Sequence, residues 1–340
     1  MNAVVTGATS FIGTHLIRRL LKEGVHVYAV IRPGSSNKKA LDTVAEESER
    51  EKQNGQQAAR IHVIESELSQ LDALDEKIPK PCHLYFHLGW DGSGSDNRKK
   101  GDVQHQNAVY ALRALEGARK SGCSRFLFSG SQAEYGICQS LMTEDRECRP
   151  VSEYGKAKAF FYRQAVDSIA RWKKEDPKLE LEFIHTRIFS IYGPGDHPGS
   201  LVETCLDTFL RGETMKLGAC TQQWNFLYIE DLVEALWTLA VCEAPAGYRG
   251  EPGEDGIYNL AADRDATMPL GAYVETVRKL CGGRGSCVYG ALPPNAEGQA
   301  NLIPDIEKIK RKTGWNPRIS FEEGIGRILE TEKKAGRELL

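Results

Sequence analysis

The chain has 340 residues, 41% of them hydrophobic, which is enough to bury one large core or two modest ones. Its formal charge is −3 at pH 7, so it offers no broad basic surface, and this argues against nucleic acid or an anionic membrane as a partner. Its nine cysteines form an odd set without a C-x-x-C pair, which fits neither a disulfide framework nor a structural zinc site.

The N-terminal residues MNAVVTG lack the basic and apolar regions of a signal peptide. No apolar run in the sequence approaches the length of a membrane span. The histidines show no metal-ligand spacing, so no metal site is predicted. We therefore expect a cytoplasmic protein whose partner is a small molecule.

Apolar strand-like runs alternate with helical patterns through the first half of the chain. The strand-like runs are NAVVTG, VHVYAVIR, RIHVIES, HLYFHLGW, CSRFLFSGS and LEFIHTRIFSIYG. Helical patterns such as THLIRRLLKEG and EYGKAKAFFYRQAVDSIARWKKE separate them. This alternation predicts an α/β protein built on a Rossmann-type, doubly wound parallel sheet.

The turn TGATSFIG, from Thr6 to Gly13, lies between a predicted strand and a predicted helix. In that position the free N–H groups of the helix N-terminus hold a pyrophosphate. Gly7 would permit the tight turn and Gly13 the close packing of helix on strand, whereas Ser10 replaces the middle glycine. A serine is small, and its hydroxyl can itself bond a phosphate oxygen. The pattern predicts a dinucleotide site, with an ordinary strand-to-helix turn as the alternative.

The end of the second strand distinguishes the two nicotinamide cofactors. NAD binding generally uses a carboxylate there, whereas NADP needs a cation for its 2′-phosphate. Ile31 stands where the acid would be and Arg32 follows it, with further donors from Ser35, Ser36 and Lys38. A guanidinium binds phosphate through forked hydrogen bonds. The sequence therefore favours NADP as the cofactor, with NAD as the alternative. Arg32 would have no part in cofactor binding if it merely caps an exposed loop.

A candidate catalytic group follows the strand-like run CSRFLFSGS. Ser131 lies near its C-terminal edge, where open parallel sheets present their ligands. Tyr154 and Lys158 are four residues apart at the start of a long predicted helix, so both side chains share one helical face. A neighbouring ammonium stabilises a phenolate and so makes a phenol a usable proton carrier at neutral pH. The three residues predict acid/base chemistry on a carbonyl/alcohol pair, although a tyrosine and a lysine at this spacing also occur as a structural pair.

The alternation of strands and helices loosens beyond about residue 190. We therefore predict a dinucleotide-binding domain over residues 1–186, which includes the catalytic residues, and a smaller α/β substrate lobe over residues 187–340. Part of residues 225–262 could return to the sheet. The polar stretch 91–102 is interpreted either as a surface loop or as a flexible lid over a ligand.

Together, these motifs resemble the extended short-chain dehydrogenase/reductase superfamily, and within it the NAD(P)-dependent epimerase/dehydratase family, which works mainly on nucleotide sugars. TGATSFIG is similar to the TGxxGxxG turn of that family, ESEL (65–68) to its D-L step, and FHLGW (86–90) to its HLAA-like strand. RIFSIYGPG (187–195), NFLYIEDLVEAL (225–236) and KRKTGWNPRISFEEGI resemble its later motifs. The similarity extends over nearly the whole chain.

The resemblance implies a nicotinamide cofactor, a sugar or nucleotide-sugar substrate, and a homodimer formed through the helices at 103–120 and 153–174. Besides the residues named for the turn, the second strand, Tyr154 and Lys158, the implied cofactor residues are Thr9, Phe11, Ile12, Glu67, Leu68, Leu88, Gly89, Trp90, Asn107, Ser129 and Ile188. The implied substrate residues are Asp91, Gln132, Glu134, Ser190, Lys216 and Trp224.

Two departures from the family pattern bear on the reaction. Members that dehydrate sugars carry acidic residues directly after the catalytic serine or threonine, whereas this chain has Gln132 and Ala133, and strand alternation would turn Glu134 to another side. An arginine that the family uses for a nucleotide diphosphate is replaced by Trp224, and none lies near residues 295–301. We therefore predict an NADP-dependent reductase of a keto-sugar. An epimerase that retains its cofactor, a sugar dehydratase and a non-catalytic dinucleotide-binding protein are the alternatives.

Overall fold

The computed structural model describes residues 1–50, 59–92, 94, 97–293 and 300–334. The strands are β1 (Asn2–Thr6), β2 (His26–Ile31), β3 (Ile61–Glu65), β4 (Leu84–His87), β5 (Arg125–Ser131), β6 (Glu182–Ile188), β7 (Ser190–Tyr192), β8 (Thr214–Lys216), β9 (Gln223–Trp224), β10 (Phe226–Tyr228), β11 (Ile257–Leu260), β12 (Met268–Pro269) and β13 (Ser286–Val288). The α-helices are α1 (Phe11–Lys22), α2 (Lys38–Arg50), α3 (Gly101–Lys120), α4 (Glu153–Glu175), α5 (Leu201–Leu210), α6 (Ile229–Val241), α7 (Leu270–Leu280), α8 (Glu307–Thr313) and α9 (Phe321–Lys334).

Seven strands form one parallel sheet in the order β11-β6-β5-β4-β1-β2-β3. Neighbouring residues of β1 point to opposite faces, so Val5 enters one hydrophobic core and Val4 the other. Leu16 of α1 and Leu232 of α6 cover the first face, and Leu115 of α3 covers the second with Phe161 of α4. Burial on both faces explains why these strands are continuous apolar runs. The predicted doubly wound α/β fold is confirmed.

The strand β11 lies within residues 225–262 and pairs in parallel with β6, so this part of the chain returns to the large sheet. The predicted division at residues 186 and 187 falls inside β6, a strand buried along its whole length. Because a central strand cannot belong to two lobes, the sheet unit must extend at least to Ile188. The division into two domains otherwise stays a prediction.

The predicted substrate lobe, called the C-terminal lobe below, follows directly from the carboxyl edge of the sheet, because β6 ends at Ile188 and β7 begins at Ser190. Its strands form three short pairs, β10 with β7, β12 with β9 and β13 with β8. An aromatic cluster holds the lobe together, with the Tyr273 ring 4.6 Å from the Phe321 ring and 5.0 Å from the Phe226 ring. Within the described ranges, no helix combines the length and the apolar character that crossing a bilayer requires.

Candidate active site

The turn between β1 and α1 has the close backbone packing that a pyrophosphate site needs. Gly7 has a φ of +66°, and a Cβ there would lie 2.8 Å from the backbone nitrogen of Gly89. A Cβ on Gly13 would lie 2.3 Å from the carbonyl oxygen of Gly7. Both positions therefore require glycine.

Ser10 fits the turn without strain, because its φ of −79° and ψ of 167° are extended values that any residue adopts. It is the N-cap of α1, and its Oγ accepts a hydrogen bond of 3.1 Å from the backbone nitrogen of Gly13. Accepting this bond leaves the hydroxyl hydrogen available for a phosphate oxygen. The neighbouring predicted cofactor residues Thr9, Phe11 and Ile12 are half-buried.

The ends of β2 and β3 carry the groups predicted to contact the adenosine half of a cofactor. Arg32 is exposed directly after β2, and its carbonyl accepts the backbone N–H of Ser35 at 3.1 Å. Lys38 pairs with Glu65 at 3.6 Å, so its charge is partly satisfied by the protein. After β3, Glu67 is exposed, while Leu68 is half-buried beside Gly89. Arg32 is therefore accessible to a phosphate at the end of β2.

The segment after β4 is fixed by hydrogen bonds to its neighbours. Thr6 Oγ1 accepts the backbone N–H of Gly89 at 3.2 Å. Asn107, predicted to contact the cofactor, instead uses its side-chain amide on the backbone of Asp91: its Oδ1 accepts the Asp91 N–H at 2.9 Å, and its Nδ2 donates to the Asp91 carbonyl at 2.7 Å. Asn107 is 2% exposed. Asn107 therefore holds the loop that carries Trp90, and its contact with a cofactor stays a prediction.

The predicted catalytic residues are positioned by the junction of β5 and α4. Ser131 ends β5, and Tyr154 and Lys158 lie in the first two turns of α4. A Cβ on Gly155 would lie 2.3 Å from the Ala133 carbonyl oxygen, so the start of α4 packs against the turn that follows Ser131. This contact brings the residue next to Gly155, Tyr154, to the end of β5.

Lys158 is an ammonium in an almost closed site, with 2% of its surface exposed. Its Nζ donates a 2.6 Å hydrogen bond to the carbonyl of Ser129 and lies 5.4 Å from the centre of the Tyr154 ring. Burial lowers the pKa of Lys158 to about 7, an effect that the charge of Glu134 opposes and that of Arg98 reinforces. The ammonium is therefore able to change its charge near neutral pH.

The structure corrects the role of Glu134, which the sequence analysis assigned to the substrate. A short 3₁₀ helix follows Ser131 and turns the Glu134 side chain back into the interior, where it is 1% exposed. Its Oε1 accepts the backbone N–H of Ser131 at 2.8 Å. Its Oε2 accepts from His185 Nε2 at 2.8 Å and from Arg187 Nε at 3.4 Å. Glu134 thus fixes the backbone of Ser131 from the protein interior.

The charge of Glu134 is stabilised although the residue is buried. Burial by itself raises the pKa of Glu134, but His185, Arg187 and the Ser131 N–H together hold it below its ordinary value. Burial also lowers the pKa of His185, a shift that the neighbouring Glu134 carboxylate opposes.

The remaining predicted residues lie at the sheet edge or in the C-terminal lobe. Gln132 and Ser190 are half-buried, Ile188 is buried, Leu88 is half-buried, and Asp91 is exposed. Lys216 is exposed at the end of β8, and Trp224 is half-buried in β9. In the part of the chain that the structure describes, neither Lys216 nor Trp224 is recorded in contact with Ser131, Tyr154 or Lys158. Their role in substrate binding therefore stays a prediction.

Sequence reasoning missed two contacts at the catalytic group. The guanidinium carbon of Arg98 lies 4.6 Å from the centre of the Tyr154 ring. The Nζ of Lys158 lies 3.7 Å from the centre of the Trp90 ring. The available signal was FHLGW itself, in which a large indole stands at the final small position of the HLAA-like pattern.

The model of the NAD dependent epimerase/dehydratase family matches residues 3–261 of the chain. The uncharacterised UDP-glucose epimerase YtcB of Bacillus subtilis (strain 168) is 24% identical over 338 residues, which cover 96% of each chain. The structure of MoeE5 in complex with UDP-glucuronic acid and NAD superposes with a TM-score of 0.77 at 23% identity, over 98% of this chain and 100% of MoeE5.

The UDP-glucose 4-epimerase of Thermotoga maritima, solved with UDP-glucose, superposes with a TM-score of 0.76 at 23% identity, over 98% of this chain and 99% of the epimerase. At these identities the structural likeness establishes the fold. The family follows from the sequence model, which covers well over half of the residues. The chain belongs to the NAD-dependent epimerase/dehydratase family.

Proposed function

We propose that this enzyme is an NADP-dependent oxidoreductase that acts on a sugar, in particular a keto-sugar linked to a nucleotide. The observation that carries the proposal is the buried Lys158 ammonium on the Ser129 carbonyl at 2.6 Å, two turns into the helix that presents Tyr154. The glycine turn after β1 lies at the same carboxyl edge of the sheet. A hydride carrier and a proton carrier at one edge are what the interconversion of an alcohol and a carbonyl requires.

The residues present fit a dinucleotide, because Gly7 and Gly13 leave no space for a Cβ and the α1 N-terminus follows directly. When bound, the nicotinamide supplies or accepts the hydride. Tyr154 gives its phenolic proton to the substrate oxygen, or takes one from it, and Lys158 stabilises the phenolate. Ser131 Oγ accepts the Ala133 N–H at 3.2 Å, which leaves its own hydrogen for the same substrate oxygen.

A second candidate is an epimerase that keeps its cofactor bound and returns the hydride to the opposite face of a rotated keto intermediate. The same three residues serve it, and the names of YtcB and of the Thermotoga maritima enzyme favour it. A dehydratase is less well supported, because Gln132 and Ala133 follow Ser131 and the Glu134 carboxylate is committed to interior partners. The intact Ser131, Tyr154 and Lys158 argue against a non-catalytic binding protein.

The fate of the hydride distinguishes the first two candidates. We expect the purified protein, supplied with NADPH and a panel of nucleotide-linked keto-sugars, to lose the absorbance of the reduced nicotinamide in proportion to the sugar reduced. An epimerase would convert a nucleotide sugar into its epimer without net loss of that absorbance. Neither signal, with the cofactor shown to bind, would support the non-catalytic alternative.

The cofactor preference rests on Arg32. Replacing Arg32 with aspartate should weaken NADPH binding by about tenfold to a hundredfold, because a charge-assisted contact to the 2′-phosphate is lost and repulsion replaces it. NADH binding should be unchanged or improved. Titration of the nicotinamide fluorescence measures both dissociation constants, and Lys39→Asp, an exposed charge reversal on α2, is the matched control. If Arg32→Asp leaves the dissociation constants of both NADPH and NADH unchanged, the assignment to NADP, which depends on Arg32, is overturned.

Two further assignments stay proposals. The homodimer would form through the helices predicted at 103–120 and 153–174, which are α3 and α4 in the structure and pack against each other over the same face of the sheet. A cytoplasmic location is the second of these proposals.

A further inference from the structure

The indole of Trp90 lies against the buried ammonium of Lys158. The distance from Lys158 Nζ to the centre of the Trp90 ring is 3.7 Å, shorter than the 4.6 Å to the Phe128 ring. The same indole meets the Tyr154 ring edge to face, with ring centres 6.0 Å apart. Trp90 therefore contacts both members of the proposed proton-transfer pair.

The orientation of the indole is fixed by a buried hydrogen bond. Trp90 Nε1 donates to Gln104 Oε1 at 2.8 Å, and Gln104 is fully buried. The amide nitrogen of Gln104 in turn donates to the carbonyls of Gly92 and Asn97 at 3.0 Å each. Together with the Asn107 clamp on Asp91, these bonds hold the ring face towards Lys158.

The charges around Lys158 explain what the aromatic face contributes. The titratable and charged groups near Lys158 are Glu134, Arg98, His87, His185 and Tyr154. Burial disfavours the charged form of Lys158 most strongly, the Glu134 carboxylate favours it, and the Arg98 guanidinium disfavours it. An aromatic face attracts a cation without adding a charge of its own, and tryptophan does so most strongly.

We propose that Trp90 is a positioning residue for Lys158, whose indole face keeps the buried ammonium charged and holds it beside Ser129 and Tyr154. The proposal rests on the proposed function in one respect, namely that the Lys158 ammonium stabilises the Tyr154 phenolate and binds the cofactor. It differs from the role that the resemblance implies for this position, which is cofactor contact. The HLAA-like pattern of the family has a small residue at the position of Trp90. The contact between an indole and the lysine is therefore a feature of this chain's own sequence.

The test changes the electron density of the ring and leaves its shape almost unchanged. We would place tetrafluorotryptophan at position 90 by site-specific incorporation and follow the ionisation of Lys158 in the cofactor-free protein by ¹³C NMR of the lysine side chains. The Lys158 signal is assigned by its loss in Lys158→Met. We expect the midpoint to fall by about one pH unit, a tenfold change in the ionisation constant, because the charged form loses its aromatic partner.

Two comparisons separate this role from packing alone. Trp90→Phe keeps an aromatic face and should restore part of the shift that Trp90→Leu causes. Tetrafluorotryptophan at position 172, where the indole faces Arg119 at 5.0 Å farther along the same helix, should leave the Lys158 midpoint unchanged. An unchanged midpoint in both the fluorinated Trp90 protein and Trp90→Leu would overturn the proposal.

The proposed function is tested separately in the same proteins. The dissociation constant of NADPH, measured against pH, should rise at a lower pH in the fluorinated Trp90 protein than in wild type, since the ammonium loses its charge earlier. If NADPH and NADH both fail to bind to wild type, the proposed function fails, whereas the NMR midpoint still decides the role of Trp90.

Discussion

Substitution of Tyr154 by phenylalanine is expected to lower turnover by about 100- to 10,000-fold, the range that positioned general acid/base groups contribute. The change removes only the phenolic oxygen. The ring contacts that fix the side chain, with Trp90 at 6.0 Å and with the Arg98 guanidinium at 4.6 Å, remain available to phenylalanine. We therefore expect the fold and the NADPH dissociation constant to stay close to wild type while the rate of hydride transfer falls.

The measurement is single-turnover oxidation of NADPH by a keto-sugar that the wild type reduces, together with a thermal melt of each protein. Tyr162→Phe is the matched control, because Tyr162 lies two turns farther along α4 and its hydroxyl donates to the Asp255 carbonyl at 3.2 Å. The control should keep its activity. A Tyr154→Phe protein that reduces the sugar at the wild-type rate would remove Tyr154 from the acid/base role.

Local sequence patterns predicted the fold and the framework of the site well. The apolar runs that became β1, β2 and β4 are contiguous in sequence, and their burial on both sheet faces left a pattern that a reader of the sequence can recognise. The glycine turn is likewise a local pattern in the sequence: Gly13 packs on the Gly7 carbonyl six residues away, although the backbone that crowds Gly7 belongs to the distant Gly89. The parallel sheet was predicted from these elements, and the structure gives it seven strands.

The error at Glu134 has a physical cause. The resemblance placed Glu134 at the substrate, but β5 ends at Ser131 and a 3₁₀ turn of Gln132–Glu134 begins there. Within that turn a capping box forms, so the Glu134 side chain folds back onto the Ser131 N–H. The partners that make this arrangement stable, His185 and Arg187, lie on β6 and are distant in sequence.

Contacts between distant segments also explain what stayed unpredicted. Trp90 follows β4, whereas Lys158 lies on α4, and no spacing rule connects the two. In the C-terminal lobe, strands as short as Gln223–Trp224 pair with Met268–Pro269, so periodicity has too few residues to predict the register. The substrate residues Lys216 and Trp224 therefore rest on the resemblance alone.

Replacing Glu134 with alanine is expected to lower the free energy of unfolding by about 3–5 kcal/mol, because it leaves a buried charge without its partner. Arg187 is 4% exposed and would lose the carboxylate, and the Ser131 N–H would lose its acceptor. Chemical denaturation at neutral pH measures the loss. Glu147→Ala is the matched control, because its pair with Arg149 is exposed to solvent and should contribute little to stability.

Two further variants separate the effect of the Glu134 charge from the effect of its side-chain shape. Glu134→Gln keeps an acceptor for the Ser131 N–H but lacks the charge. The double variant Glu134→Ala/Arg187→Met removes both charges. Each of these proteins should be more stable than Glu134→Ala alone. The folded protein lowers the pKa of Glu134. The extra stability of the wild type over Glu134→Ala should therefore be complete above the ordinary glutamate pKa of 4.5 and should disappear as the pH falls through the lower pKa of the folded state. If the double variant is no more stable than Glu134→Ala, the stabilisation does not come from the buried pair, and the carboxylate acts chiefly through the Ser131 backbone.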